Sequence, residues 1–197
     1  MPNVHKQYFV CPFPSYDSVV GTSVRKYGLK ENCTSVTPFH EALEGVEREA
    51  TLLIAGHGVE GGKEISNGKA PPERLSLTVE GLAQLISKVW KLPRTHVKIR
   101  MLGCECNGFA RKLAVALEEY DDVAVGGYVD SVNGDAFDAT TGRGSMLGQV
   151  DFGGELGIRL FTKEQMASAG IERIEWFNNK GVKIDKPDFP KLIALRD

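Results

Sequence analysis

Two short stretches carry residue types able to do chemistry together. "TLLIAGHGVEGG", Thr51 to Gly62, runs apolar and then breaks at Gly-His-Gly, setting His57 just past the break. "KIRMLGCECNG", Lys98 to Gly108, repeats the pattern and delivers Cys104 in the same way. A free thiol with a pKa of about 8.5 is mostly protonated at neutral pH, so it needs a base beside it to become a nucleophile. Imidazole is suited to that task and can afterwards protonate a leaving amine. Glycines on either side let a substrate carbonyl approach the backbone. The amides of Gly58 and Cys104 are then candidates for an oxyanion hole. Cys106 is a second candidate nucleophile, although Cys104 stands directly at the break. A metal site built from His57, Cys104 and Cys106 is the competing reading, but Cys-x-Cys lacks the usual Cys-x2-Cys spacing of structural zinc, and no metal is assigned.

The elements that would position this pair read as alternating strands and helices. "KQYFVCPF", "CTSV", "TLLIAGH", "HVKIRMLGC" and "DVAVGGYV" have strand character. Between them lie helical patterns: "SYDSVVGTSVRKYGL" with Ser15 as candidate N-cap, "PFHEALEGVEREA" with Pro38 in its first turn, and "LSLTVEGLAQLISKVWKL". This last helix has Thr78 as N-cap and Val79, Leu82, Leu85, Ile86 and Val89 along one face. "NGFARKLAVALEEY" follows as an amphipathic helix. Gly61 to Pro72 and the glycine-rich Ser131 to Gly154 read as loops; "ELGIRLFT", a short helix around "KEQMASAG" and a hairpin centred on Asn-Asn-Lys-Gly close the chain. Such alternation predicts an α/β three-layer sandwich, a mostly parallel central sheet flanked by helices, with a C-terminal β-hairpin. Ligands in such sheets gather at the carboxyl ends of strands, where His57 and Cys104 fall. If the two strands are neighbours, imidazole and thiol emerge side by side.

With 197 residues and no composition break, residues 1–197 read as a single domain. The hydrophobic share of 42% and charged share of 25% are ordinary globular usage. A net charge of -2 with interspersed signs excludes a nucleic-acid grip, and no apolar run approaches the roughly 20 residues of a membrane helix. The N-terminal residues carry no Sec-type signal, so the expected location is cytoplasmic, or exported by another route. Four cysteines in this length do not make a disulfide scaffold and are expected to be reduced.

The two half-motifs, "LLIAGHG" and "IRMLGC", 47 positions apart with a helix between them, resemble the caspase-like cysteine peptidases of clan CD. That group includes caspases, legumains, clostripain, gingipains, separase and the autoprocessing protease domains of bacterial toxins. The order and spacing are near the roughly 50 residues seen in caspases. "LGC" in place of "QAC" looks closest to the toxin autoproteases. The resemblance covers about Thr51 to Asp130 well. It implies a cysteine endopeptidase with catalytic His57 and Cys104 that works through a thioester acyl-enzyme without a cofactor. Its partner would be a protein or peptide substrate, and the chain would be a stand-alone effector or a domain of a larger toxin. The toxin proteases respond to inositol hexakisphosphate at a basic cluster; no dense cluster is visible here, so that activation is not carried over. "GYVDSV" corresponds to the wall of the specificity pocket, which makes Tyr128 and Asp130 candidates to face the P1 side chain. No residue orienting His57 is assignable from the sequence.

Two other functions use the same residues: a caspase-like binding module with an inert thiol, and a deamidase or other acyl-transferase on the same dyad. His5, His40 and His96 read as structural or surface residues, and Cys11 and Cys33 as core. Asp135 and Asp138 lack the closing Glu and spacing of an EF-hand, and "GVEGGKEISNGK" lacks the Gly-Lys-Ser/Thr of a phosphate loop.

Overall fold

The structure is a computed structural model that describes residues 6–28, 33–36, 42–59, 61–96, 98–129, 146–152, 155–161 and 174–185. The elements in chain order are β1 (Gln7–Val10), α1 (Ser18–Gly28), β2 (Cys33–Val36), β3 (Thr51–Ala55), β4 (His57–Gly58), β5 (Glu64–Ser66), β6 (Ser76–Thr78) and α2 (Val79–Gln84). A π-helical turn, Leu85–Val89, extends α2. Then come β7 (Lys98–Leu102), α3 (Asn107–Ala116), β8 (Ala124–Tyr128), β9 (Met146–Phe152), β10 (Glu155–Phe161), β11 (Ile174–Asn178) and β12 (Lys183–Ile184).

The expected three-layer arrangement is present. Seven strands form one sheet in the order β12-β11-β8-β7-β3-β1-β2. The run β8-β7-β3-β1-β2 is parallel, while β11 and β12 join antiparallel. The central strands β3, β7 and β8 are buried along their whole length, which is why they read as continuous apolar runs rather than alternating ones. Strand side chains alternate between faces, and the pairing register assigns the layers. Phe9, Leu53, Arg100 and Gly126 are register partners on one face, where Phe9 stacks on Tyr27 of α1 with ring centroids 4.9 Å apart. Gly127 faces the other way, against Cys106 and Ala110 at the start of α3. Thus α1 covers one face and α3 the other.

The C-terminal hairpin also forms. Gly181 takes a positive φ of 71° and donates its N–H to the Asn178 carbonyl, while the Asn178 side chain accepts from Lys180 and Val182.

Four local expectations need correction. Residues 42–50 of the predicted helix "PFHEALEGVEREA" are successive turns, with Val46 bonded back to Leu43 and Ala50 to Glu47. Leu43, Val46 and Ala50 are buried at helix-like spacing, but the Leu43 amide bonds to the Trp90 carbonyl. Glu47 is tied to β1 by Lys6 Nζ (2.9 Å) and Tyr8 OH (2.7 Å), and those donors, Lys6 foremost, pull its carboxyl down to about 2. Tertiary contacts override the local pattern here. The N-cap of α1 is Asp17 rather than Ser15. The segment Gly61 to Pro72 contains β5, which pairs with β4 and β6 in a small antiparallel sheet. Finally, Met146–Phe152 of the glycine-rich stretch is a strand paired with β10. The helix around "KEQMASAG", together with His5, His40, Asp135 and Asp138, lies outside the described residues.

His96 has the structural role expected of it. It is fully buried, with Nε2 2.8 Å from the Lys98 carbonyl. Burial lowers its pKa below the usual 6.5, against a smaller opposing pull from the carbonyls of Lys98 and Glu47. Because the unfolded chain binds this proton more readily than the folded one, stability falls as pH drops below about 6.5. The slope reaches up to about 1.4 kcal/mol per pH unit. Urea midpoints at pH 7.5 and 5.5 should differ more in the wild type than in His96→Gln, in which this titration is gone.

Candidate functional site

β3 and β7 are adjacent and parallel, with Ala55 paired to Leu102 at their ends. The Gly56 amide still bonds to the Leu102 carbonyl (3.3 Å), after which both chains turn at glycine. A Cβ on Gly103 would come within 3.0 Å of the Gly56 carbonyl oxygen, and one on Gly58 within 3.0 Å of the Cys104 carbonyl oxygen. The two backbones are therefore pressed together where His57 and Cys104 emerge, and only hydrogen fits between them. This close approach is the reason for glycine at positions 58 and 103.

His57 is half-buried in β4, paired with Ser66. Its Nε2 lies 3.0 Å from Asp17 Oδ2. A carboxylate only accepts hydrogen bonds, so Nε2–H is the donor, and in the neutral imidazole Nδ1 is then the nitrogen with the lone pair. Asp17 divides its carboxylate: Oδ1 accepts from the Val20 amide (3.0 Å) and caps α1, while Oδ2 holds His57. The Asp17 amide donates to the backbone carbonyl of Asn67 (3.0 Å). Asn67 is fully buried and uses its whole side chain, donating to the carbonyls of Ser15 and Glu73 and accepting from the amides of Lys69 and Leu75. Gly68, at φ 77°, closes over the pair, since a Cβ there would lie 2.5 Å from both Asp17 Oδ2 and His57 Cδ2.

The two cysteines separate clearly. Cys104 is half-buried in the turn after β7, followed by Glu105 at φ 47°, an uncommon conformation for a residue other than glycine and one that gathers at functional sites. Cys106 is 1% exposed. Its thiol donates to the Gly103 carbonyl (3.0 Å) and accepts from the Tyr128 amide (3.4 Å), and burial pushes it up to about 12. Cys106 is thus a core thiol, and Cys104 is the more exposed of the two.

A pocket opens between the first turns of α1 and the ends of β3 and β7, with His57 and Cys104 both in its wall. Its surroundings are fastened down. Lys112 of α3 donates to the carbonyls of Gly61 (3.1 Å) and Gly62 (3.0 Å), tying the loop after His57 to the helix after Cys104. Asn107 at the start of α3 donates to Glu175 of β11 (2.8 Å). Tyr128 is fully buried and does not line this pocket; Asp130 lies outside the described residues. No three His, Cys, Asp or Glu side chains gather as a metal site among the described residues, and none of the helices there is long and apolar enough to cross a membrane.

Sequence reasoning missed Asp17, Asn67 and Gly68. A signal for Asp17 was present, as "SYDS" offers a second capping residue directly before the helix.

No protein-family model matches the chain, and no curated protein matches it. Among solved structures it is similar to a secreted C11 cysteine protease from Bacteroides thetaiotaomicron, "iotapain". The identity is 14% and the TM-score 0.35, over 68% of this chain. The match spans 55% of that protease's chain.

Proposed function

We propose that the chain is a cysteine endopeptidase with Cys104 as nucleophile, His57 as general base and acid, and Asp17 as the residue that orients His57. The observation that carries this reading is the emergence of His57 and Cys104 at the ends of two adjacent parallel strands into the wall of one pocket. The resemblance of the two half-motifs to clan CD peptidases supports it. In this mechanism His57 Nδ1 takes the thiol proton and the Cys104 sulfur adds to the scissile carbonyl. The resulting oxyanion is held by the amides of Gly58 and Cys104. Collapse expels the amine, which receives the proton from His57, and leaves a thioester. Water, deprotonated by His57, then adds to the thioester carbonyl and releases the acid and the free thiol.

The test is alkylation by iodoacetamide across pH, read by peptide mass spectrometry on the wild type and His57→Ala. Cys104 is expected to label fastest near neutral pH and to lose that advantage without His57. Cys106 and Cys11, whose buried thiols are pushed up to about 12 and about 11, are expected to label only on unfolding. Equal labelling of Cys104 in the two proteins sinks the dyad and leaves an inert binding module. A dyad that labels as expected but converts glutamine side chains without cutting the backbone is an amidase instead.

A further inference from the structure

We propose that Lys112 is a positioning residue for the oxyanion hole: it holds the tip of the β4–β5 hairpin against α3 and so fixes where the Gly58 amide stands relative to Cys104. This rests on the peptidase reading above and adds to it a residue that acts through Gly58 rather than through the dyad.

β4 is two residues long and pairs with β5 through His57 to Ser66 and Gly58 to Ile65. So short a strand gains little stability from its own pairing, and its position depends on what holds it from outside. Its two residues are held differently. His57 is bound at Nε2 by Asp17, 3.0 Å away. From Gly58 the chain runs into the hairpin turn, which closes with the Gly62 amide on the Val59 carbonyl (3.0 Å).

That turn is fastened to α3 at two points. Gly61 and Gly62 take positive φ, 79° and 57°, and both of their carbonyls accept from the Lys112 ammonium, at 3.1 and 3.0 Å. These are charge-assisted bonds, stronger than those between neutral groups. One helical turn earlier, the Gly62 backbone rests on the start of α3. A Cβ on Gly62 would lie 2.7 Å from the Phe109 amide nitrogen and 2.8 Å from the Gly108 carbonyl carbon. α3 begins at Asn107, three residues after Cys104. The same helix therefore follows the Cys104 turn and grips the turn beyond Gly58, which ties the two amides of the oxyanion hole to one rigid element. Without the ammonium, His57 keeps its bond to Asp17, and the displacement falls on Gly58, next to the released turn.

The experiment compares the wild type and Lys112→Met in two reactions of the same thiol. One is hydrolysis of a fluorogenic peptide, with Cys104→Ala as background; the other is alkylation of Cys104 by iodoacetamide. Lys112 is exposed, and methionine keeps an unbranched stem and a high helix propensity, so the substitution is compatible with folding. Hydrolysis passes through an oxyanion, whereas alkylation displaces iodide from a tetrahedral carbon and makes none. Removing an oxyanion donor outright costs about 10²- to 10³-fold in kcat, so displacing one in Lys112→Met should cost about 10- to 100-fold. KM and the alkylation rate should stay within about twofold, because the lost interaction exists only in the transition state. An unchanged kcat, or a change confined to KM, overturns the proposal. A parallel fall in kcat and alkylation overturns it too, since Lys112 would then act on the dyad. These outcomes leave the peptidase reading standing. No wild-type cleavage above the Cys104→Ala background sinks that reading and the role of Lys112 with it.

Discussion

Asp17→Asn is expected to lower kcat for peptide hydrolysis by about 10²- to 10⁴-fold while leaving the protein as stable as the wild type within about 0.5 kcal/mol. The reason is a count of acceptors. In the wild type both carboxylate oxygens accept, one from the Val20 amide and one from His57 Nε2–H. Asparagine keeps one acceptor oxygen and replaces the other with an N–H donor. Because asparagine caps helices as well as aspartate does, its oxygen can stay on Val20 and preserve the start of α1. The amide nitrogen then faces His57, makes Nε2 the acceptor and moves the ring proton to Nδ1, which can no longer take a proton from Cys104. Asp17→Ala removes both bonds and should cost about 1 kcal/mol of stability as well as activity. Thermal melts and a kcat against KM comparison separate the two roles. Full kcat in Asp17→Asn would reduce Asp17 to a helix cap and remove the orienting residue from the mechanism.

What the sequence revealed and what it hid follow from the range of the forces involved. β3, β7 and β8 were legible because a strand covered on both faces must be apolar throughout, and that is a local property. The paired glycine breaks were legible too, since a close backbone approach demands glycine on both strands. The bond from Asp17 to His57 joins residues 40 positions apart through loops held by Asn67, and no periodicity encodes it. The helix expected over 38–50 failed, in its described residues 42–50, for a related reason. Leu43, Val46 and Ala50 are buried as a helix would bury them, but in successive turns, with the Leu43 amide bonded to the Trp90 carbonyl after the π-helical turn. β5 and β6 are three residues each and partly exposed, too short to show alternation. They pair in a separate small sheet in the order β4-β5-β6, with β4 carrying His57.

The glycines at the two strand ends give the other large effect. Gly103→Ala is expected to cost about 3 kcal/mol, because its Cβ would meet the Gly56 carbonyl oxygen, a backbone atom that cannot swing aside. To admit the methyl group, β3 and β7 must part at the end where His57 and Cys104 emerge. Gly58→Ala sets its Cβ against the Cys104 carbonyl oxygen and so displaces the nucleophile itself. A shift of about 1 Å is enough to lose 10²-fold in rate, so the folded fraction of either variant should retain at most about 1% of wild-type kcat/KM. Gly45→Ala is the control, as nothing lies within 4 Å of a Cβ there and no positive φ requires glycine. It should be neutral or slightly stabilising. Urea denaturation of the three variants, with kcat/KM measured on the folded protein, tests the whole proposition. Wild-type stability in Gly103→Ala would mean that the strand ends stand apart, and the imidazole and thiol would then lose the backbone contact that brings them into one pocket.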